Sequence, residues 1–158
     1  MGLLLTRRKG HTMTKEISIQ AKYETGMQFD VTSSSGHHVT LDNVTQPGSE
    51  HVGFSPMEML LVALAGCTGI NVVTILQKKQ QQVTAYEIRV HGILTEEFPK
   101  IFLEITVEHF LTGHNIKPEA VARSIELSES RYCGVSIMLS KTAKISHTFE
   151  ILAAGTIG

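Results

Sequence analysis

The chain contains no tryptophan and few aromatic residues of any kind. Little is therefore available for a base-stacking platform on single-stranded nucleic acid. An excess of one charge is also missing: the formal net charge is −1, with acidic and basic residues mixed along the chain. A nucleic-acid surface shows a basic stripe, so that partner class is set aside. The opening MGLLLTRRKGHTM has only Leu3, Leu4 and Leu5 in sequence before Arg7 and Arg8. A secretory signal places its charges first and then a longer apolar stretch. The apolar segment around Cys67 is interrupted by Thr68, Gly69, Asn71 and Thr74, which reads as short of the ~20 residues that span a bilayer. These absences predict a cytoplasmic protein without a membrane partner. Residues 1–13 are expected to be a disordered extension and residues 14–158 one domain, the length suiting a single core.

Chemical signatures are sparse too. No glycine-rich phosphate loop and no GxSxG elbow occurs. The two cysteines, Cys67 and Cys133, belong to no CxxC, which removes the usual spacing of thioredoxin-like and zinc sites. The histidines are scattered: His37 and His38 in a turn, His51 in a loop, His91, His109 and His147 on strands, His114 before a helix. None has the i, i+4 spacing of a helical metal face, so neither a metal nor a cofactor is expected. His147 shares a strand face with Ile145, Phe149 and Ile151 and reads as a satisfied half-buried residue rather than a base.

What is present has a clear period. Ile17, Ile19, Ala21 and Tyr23 alternate with polar residues, as do Met27, Phe29 and Val31, and VTLD at 39–42 resumes the extended pattern. This predicts a small antiparallel meander. SPME at 55–58 then starts a helix: Ser55 suits the cap, Pro56 the first helical position, and Glu58 the reciprocal capping box. Met57, Leu60, Leu61, Leu64, Ile70, Val73 and Leu76 make this helix apolar on most sides, which predicts burial. Two alternating strands follow, with Tyr86, Ile88, Val90 and Leu94 on one inward face and Ile101, Leu103, Ile105 and Val107 on the other, joined by a hairpin loop at TEEFPK. Residues 118–131 form an amphipathic helix on Val121, Ala122 and Ile125. YCGVSIMLSK fits a helical turn or a strand, and KISHTFEIL closes with a strand. The order βββ-α-ββ-α-β gives an α+β domain with antiparallel sheets packed around a long buried helix.

Cys67 lies in that helix and Cys133 just after the next one. Two such thiols brought together by a fold can cycle between dithiol and disulfide through a sulfenic acid. Two unrelated buried thiols, inert in apolar surroundings, would look the same in sequence. Glu58 likewise reads as a functional carboxylate at the helix mouth or as a capping residue.

Taken together, SPMEMLLVALAGCTGINVV and ESRYCGVSIMLSKTAKISHTFEI resemble the OsmC/Ohr family of thiol-dependent organic hydroperoxide reductases. Within it they resemble the OsmC-like branch typified by the YhfA proteins. The resemblance covers roughly residues 15–152. It implies the OsmC-like fold as an intertwined homodimer with active sites at the subunit interface. It implies a peroxidase for oxidative stress defence, with Cys67 as peroxidatic and Cys133 as resolving thiol. Glu58 would be the activating carboxylate, and Met57, Leu60, Leu61 and Met138 would line a pocket for a small apolar hydroperoxide. The implied reductant is a dithiol of the dihydrolipoyl type.

The chain departs from the family pattern twice. Where the peroxidase branches carry glutamate directly after the helix-entry proline, this chain has Met57, and its glutamate is one step further on. That step turns the carboxylate about 100° around the helix. No arginine occurs between Arg8 and Arg89, so the first strands offer only Lys15 and Lys22. A lysine lacks the planar fork of an arginine and is not its equivalent. These departures keep two other readings in view: a non-catalytic module binding a small apolar ligand, and a redox sensor.

Overall fold

The computed structural model describes residues 15–43, 47, 49 and 51–154. The expected extension at 1–13 lies outside the described residues. The chain divides into two compact units between Ser55 and Pro56.

The first unit is the antiparallel meander β1 (Ile19–Tyr23), β2 (Phe29–Ser33) and β3 (His38–Leu41). Its turns fall where glycine permits the left-handed backbone, at Gly26 (φ 56°) and Gly36 (φ 85°). Tyr23 and Phe29 face each other across the first hairpin, ring centroids 5.7 Å apart. The expected half-burial of β1 is absent in the single chain, where all five residues are exposed. Among the described residues of this unit only Asp42 is buried; its carboxylate accepts from the Asn43 and Val52 amides.

The second unit begins with α1 (Pro56–Lys78), whose first turn carries Glu58. Helix α1 ends in a Schellman-type reversal: Gln80 adopts φ 55° and the Gln81 amide reaches back to the Leu76 carbonyl at 3.0 Å. Strands β4 (Gln82–Leu94) and β5 (Phe102–His114) form the expected hairpin. Helix α2 (Pro118–Leu127) continues into a π-helical turn, Ser128–Tyr132, and then into the short α3 (Gly134–Leu139). The segment around Cys133 is therefore helical rather than extended. Strand β6 (Lys144–Ala153) completes the sheet beside β5.

Four expectations are corrected. The second sheet is mixed, because β6 runs parallel to β5. The helical crossover between them returns the chain to the starting end of β5, which a tight antiparallel hairpin would not do. Helix α1 is buried along one stripe only, Leu64, Thr68, Val72 and Leu76, spaced one turn apart. Its other apolar side is exposed in the single chain, with Ile70 at 70%. At 23 residues the helix is, by length and composition, long enough to cross a membrane, contrary to the reading of its interruptions; its buried stripe packs into the protein's own core. Finally, the inward face of β5 is Phe102, Ile105, Val107, His109 and Leu111, and Ile101 and Leu103 are exposed. A register shift at Ile93/Leu94 moves the alternation by one residue at that end.

Two apolar clusters result. One holds Val72, Leu76, Leu111, Ile116, Ala120, Val121 and Ile125. The other holds Leu64, Phe102, Ile105, Val107, Cys133 and Ala143. Full burial of one such aliphatic side chain contributes roughly 1.5–3 kcal/mol.

Candidate functional site

The fold brings the two cysteines together. Cys67 sits on α1 one position before the buried stripe and is half-buried, while Cys133 is fully buried. Cys67 packs against the cluster that contains Cys133, close enough for the two thiols to influence each other's ionisation. Neither is in a disulfide. The π-helical turn sets the approach of Cys133, whose amide reaches the Ser128 carbonyl at 2.8 Å, five residues back. Cys133 then caps α3, its sulfur accepting from the Ser136 amide at 3.3 Å. The buried Thr68 hydroxyl donates to the same sulfur at 3.7 Å.

These contacts act on the thiol in opposite directions. Burial pushes Cys133 up from the ordinary thiol range, and the neighbouring Cys67 thiol adds to that. The Ser136 amide and the Thr68 hydroxyl pull the other way by favouring a thiolate. The net direction is upward, so the buried thiol keeps its proton.

The remaining residues singled out in the sequence are dispersed. Met57 and Leu61 pack against the Cys133 cluster, whereas Leu60 and Met138 are exposed in the single chain, Met138 at 67%. Glu58 is exposed in the first turn of α1. Lys22 lies on β1 in the other unit. A cavity of about 200 Å³ lies elsewhere, between the end of α1 and the start of β4, lined by Val73, Leu76, Val83 and Tyr86 with Gln77 and Gln81.

One buried polar array was missed in the sequence. Between the two apolar clusters, His109 follows Val107 on the inward face of β5 and precedes Leu111. The Tyr86 hydroxyl on β4 meets His109 Nδ1 at 2.6 Å, and His109 Nε2 meets His147 Nδ1 on β6 at 3.0 Å. The rings stack, with centroids 5.9 Å and 5.3 Å apart. His147 Nε2 has no hydrogen-bond partner among the described residues, and the nearest carboxylate oxygen, Glu129 Oε2, is 3.9 Å away. The expectation of a satisfied His147 thus holds for one ring nitrogen only. Burial lowers His109 to about 4, with the neighbouring His147 adding to the shift. Burial also lowers His147, against the pull of Glu129, and raises Tyr86. All three are neutral near pH 7. With Tyr86 donating and each imidazole passing a hydrogen on, the bonds run in one direction toward Glu129. The signal was in the sequence: the alternation of Ile105 and Val107, carried on two residues, points His109 inward. Among the described residues no cluster of three metal-ligating side chains occurs.

Comparison with known proteins adds the family dimension. The model for the family described as "OsmC-like protein" matches residues 47–148. Protein YhfA of Escherichia coli (strain K12) is 39% identical over 135 residues, covering 85% of this chain and 98% of that protein. A hypothetical protein from Aquifex aeolicus VF5, solved by crystallography, superposes with a TM-score of 0.80 at 26% identity, over 90% of this chain and 100% of that one. An organic hydroperoxide resistance protein from Elizabethkingia anophelis shares the fold, with a TM-score of 0.68 at 14% identity over 90% and 100% of the two chains.

Proposed function

Since the chain belongs to the OsmC-like protein family, we propose that it reduces organic hydroperoxides through a dithiol–disulfide cycle of Cys67 and Cys133, in defence against oxidative stress. One observation carries this reading: cysteines far apart in sequence meet in one contact, one half-open and one sealed. That asymmetry suits the two roles. A peroxidatic thiol has to meet its substrate, and a resolving thiol has only to meet its partner. Fold similarity to organic hydroperoxide resistance proteins agrees with it.

In this reading Cys67 attacks the peroxide and becomes a sulfenic acid, and Cys133 condenses with it to a disulfide. A dithiol of the dihydrolipoyl type then reduces the disulfide. The substrate is a small apolar hydroperoxide, received on the apolar surface that Met57, Leu60, Leu61 and Met138 contribute. The exposed apolar side of α1, with Leu60, Val62 and Ile70, favours a homodimer that covers it and places the active sites at the interface, in the cytoplasm. Glu58, one helical step from the family position, keeps at most an auxiliary role.

The test is consumption of cumene hydroperoxide with a dithiol reductant. Consumption by the wild type that disappears in Cys67→Ser supports the cycle. Absence of consumption by the wild type would leave the second reading, a module that binds a small apolar ligand without turnover. That reading draws on the missing arginine and displaced glutamate.

A further inference from the structure

The surroundings of Cys133 are richer than a resolving thiol requires. Its sulfur is fully buried and receives two directed donors, the Thr68 hydroxyl at 3.7 Å and the Ser136 amide at 3.3 Å, while it touches Cys67. Two donors aimed at one sulfur are arranged for a negative charge on it. In the resting protein, however, that sulfur carries a proton, because burial opposes ionisation. The site is therefore prepared for a thiolate it has not yet formed, and the proton is held beside the reacting sulfur.

The geometry points to a second task for Cys133, resting on the function proposed above: it is the general acid that protonates the alkoxide leaving from the peroxide at Cys67. The Cys67 thiolate attacks the terminal, hydrogen-bearing oxygen of the hydroperoxide. An S–O bond forms, the O–O bond breaks, and the Cys67 sulfur is oxidised by two electrons to a sulfenic acid. The departing alkoxide takes the Cys133 proton and leaves as an alcohol. The thiolate so formed, now stabilised by Thr68 and Ser136, attacks the Cys67 sulfur. The S–S bond forms and hydroxide departs, taking a proton from solvent. Proton delivery and activation of the resolving nucleophile become one event, so Cys133 is not ionised before it is needed. Thr68 acts through Cys133 and is a positioning residue.

The discriminating measurement is the first-turnover loss of one equivalent of cumene hydroperoxide, without added reductant. A thiol that only resolves acts after the O–O bond has broken, so its removal leaves this rate unchanged. A general acid contributes about a hundredfold or more, so Cys133→Ala and Cys133→Ser should slow peroxide loss by about that factor. Equal rates in wild type and variants would overturn the proposal. Should the variants fold poorly, the wild type alone decides it. Its rate should fall at alkaline pH as Cys133 loses its proton, and a rate that does not fall there overturns the acid role. Thr68→Val should slow closure of the disulfide after peroxide is consumed, and Thr68→Ser should restore it. Failure of the parent function reads differently: the wild type then consumes no peroxide at all.

Discussion

Two polar features are buried in the second unit, and they are equipped differently. The Cys133 sulfur has a partner on each side that matters, Thr68, Ser136 and Cys67, and its neighbour Cys67 is half-open to solvent. The Tyr86–His109–His147 array is buried at its centre and satisfied at every junction but the last, where His147 Nε2 stops 3.9 Å short of Glu129. A buried polar group is costly unless hydrogen-bonded, so both features must serve the fold or its chemistry. The difference assigns them separately. We read the thiols as the reacting pair of the proposed cycle and the rings as a link that joins β4, β5 and β6.

That contrast can be broken most directly by removing Cys67. Cys67→Ser should abolish hydroperoxide consumption and leave the unfolding midpoint near native, whereas substitutions at His109 should do the reverse. Loss of activity in a well-folded His109→Gln would erase the distinction. The next effect in size is acid. His109 titrates near 4 in the folded chain but near 6.5 when unfolded. Between those values the unfolded chain binds the extra proton, so stability rises with pH there. The contribution is fully present above about pH 6.5 and is lost as pH falls through 4, amounting to roughly 3 kcal/mol. Denaturant unfolding at pH 7 and pH 4 checks this, and a His109→Gln variant should show a shallower slope. Third, His109→Leu should cost about 2 kcal/mol at pH 7, because Tyr86 and His147 each lose a buried partner. Smallest, Thr68→Val should cost roughly 1 kcal/mol in the same assay, the value of one hydrogen bond to a weak acceptor.

The sequence disclosed much of this, and unevenly. Short-range pattern carried the element order, the hairpin at TEEFPK and the helix entry at Pro56. It misread direction where the answer depended on partners distant in sequence. Nothing local to KISHTFEIL distinguishes a strand parallel to β5 from an antiparallel one, since both bury alternate residues. The inward phase of β5 failed at Ile101 and Leu103 because a bulge, visible only from the paired strand, shifted it. Apolar character around α1 predicted burial on most sides, but one chain covers only the Leu64–Leu76 stripe. At the site, proximity of the cysteines followed from family resemblance. Thr68 and Ser136 escaped notice because Thr and Ser in a helix look like ordinary filler until a sulfur appears beside them.

The π-helical turn before Cys133 has a consequence for how the chain tolerates length changes. It accommodates one residue more than an α-helix would over the same rise. A chain with one residue deleted between Ser128 and Tyr132 would relax to ordinary helical spacing with Cys133 kept near its present bearing, whereas the same deletion earlier in α2, with the π turn retained, would turn Cys133 about 100° around the axis. The slack for losing a single residue while keeping the two sulfurs together thus lies in this turn and not in the regular helix before it.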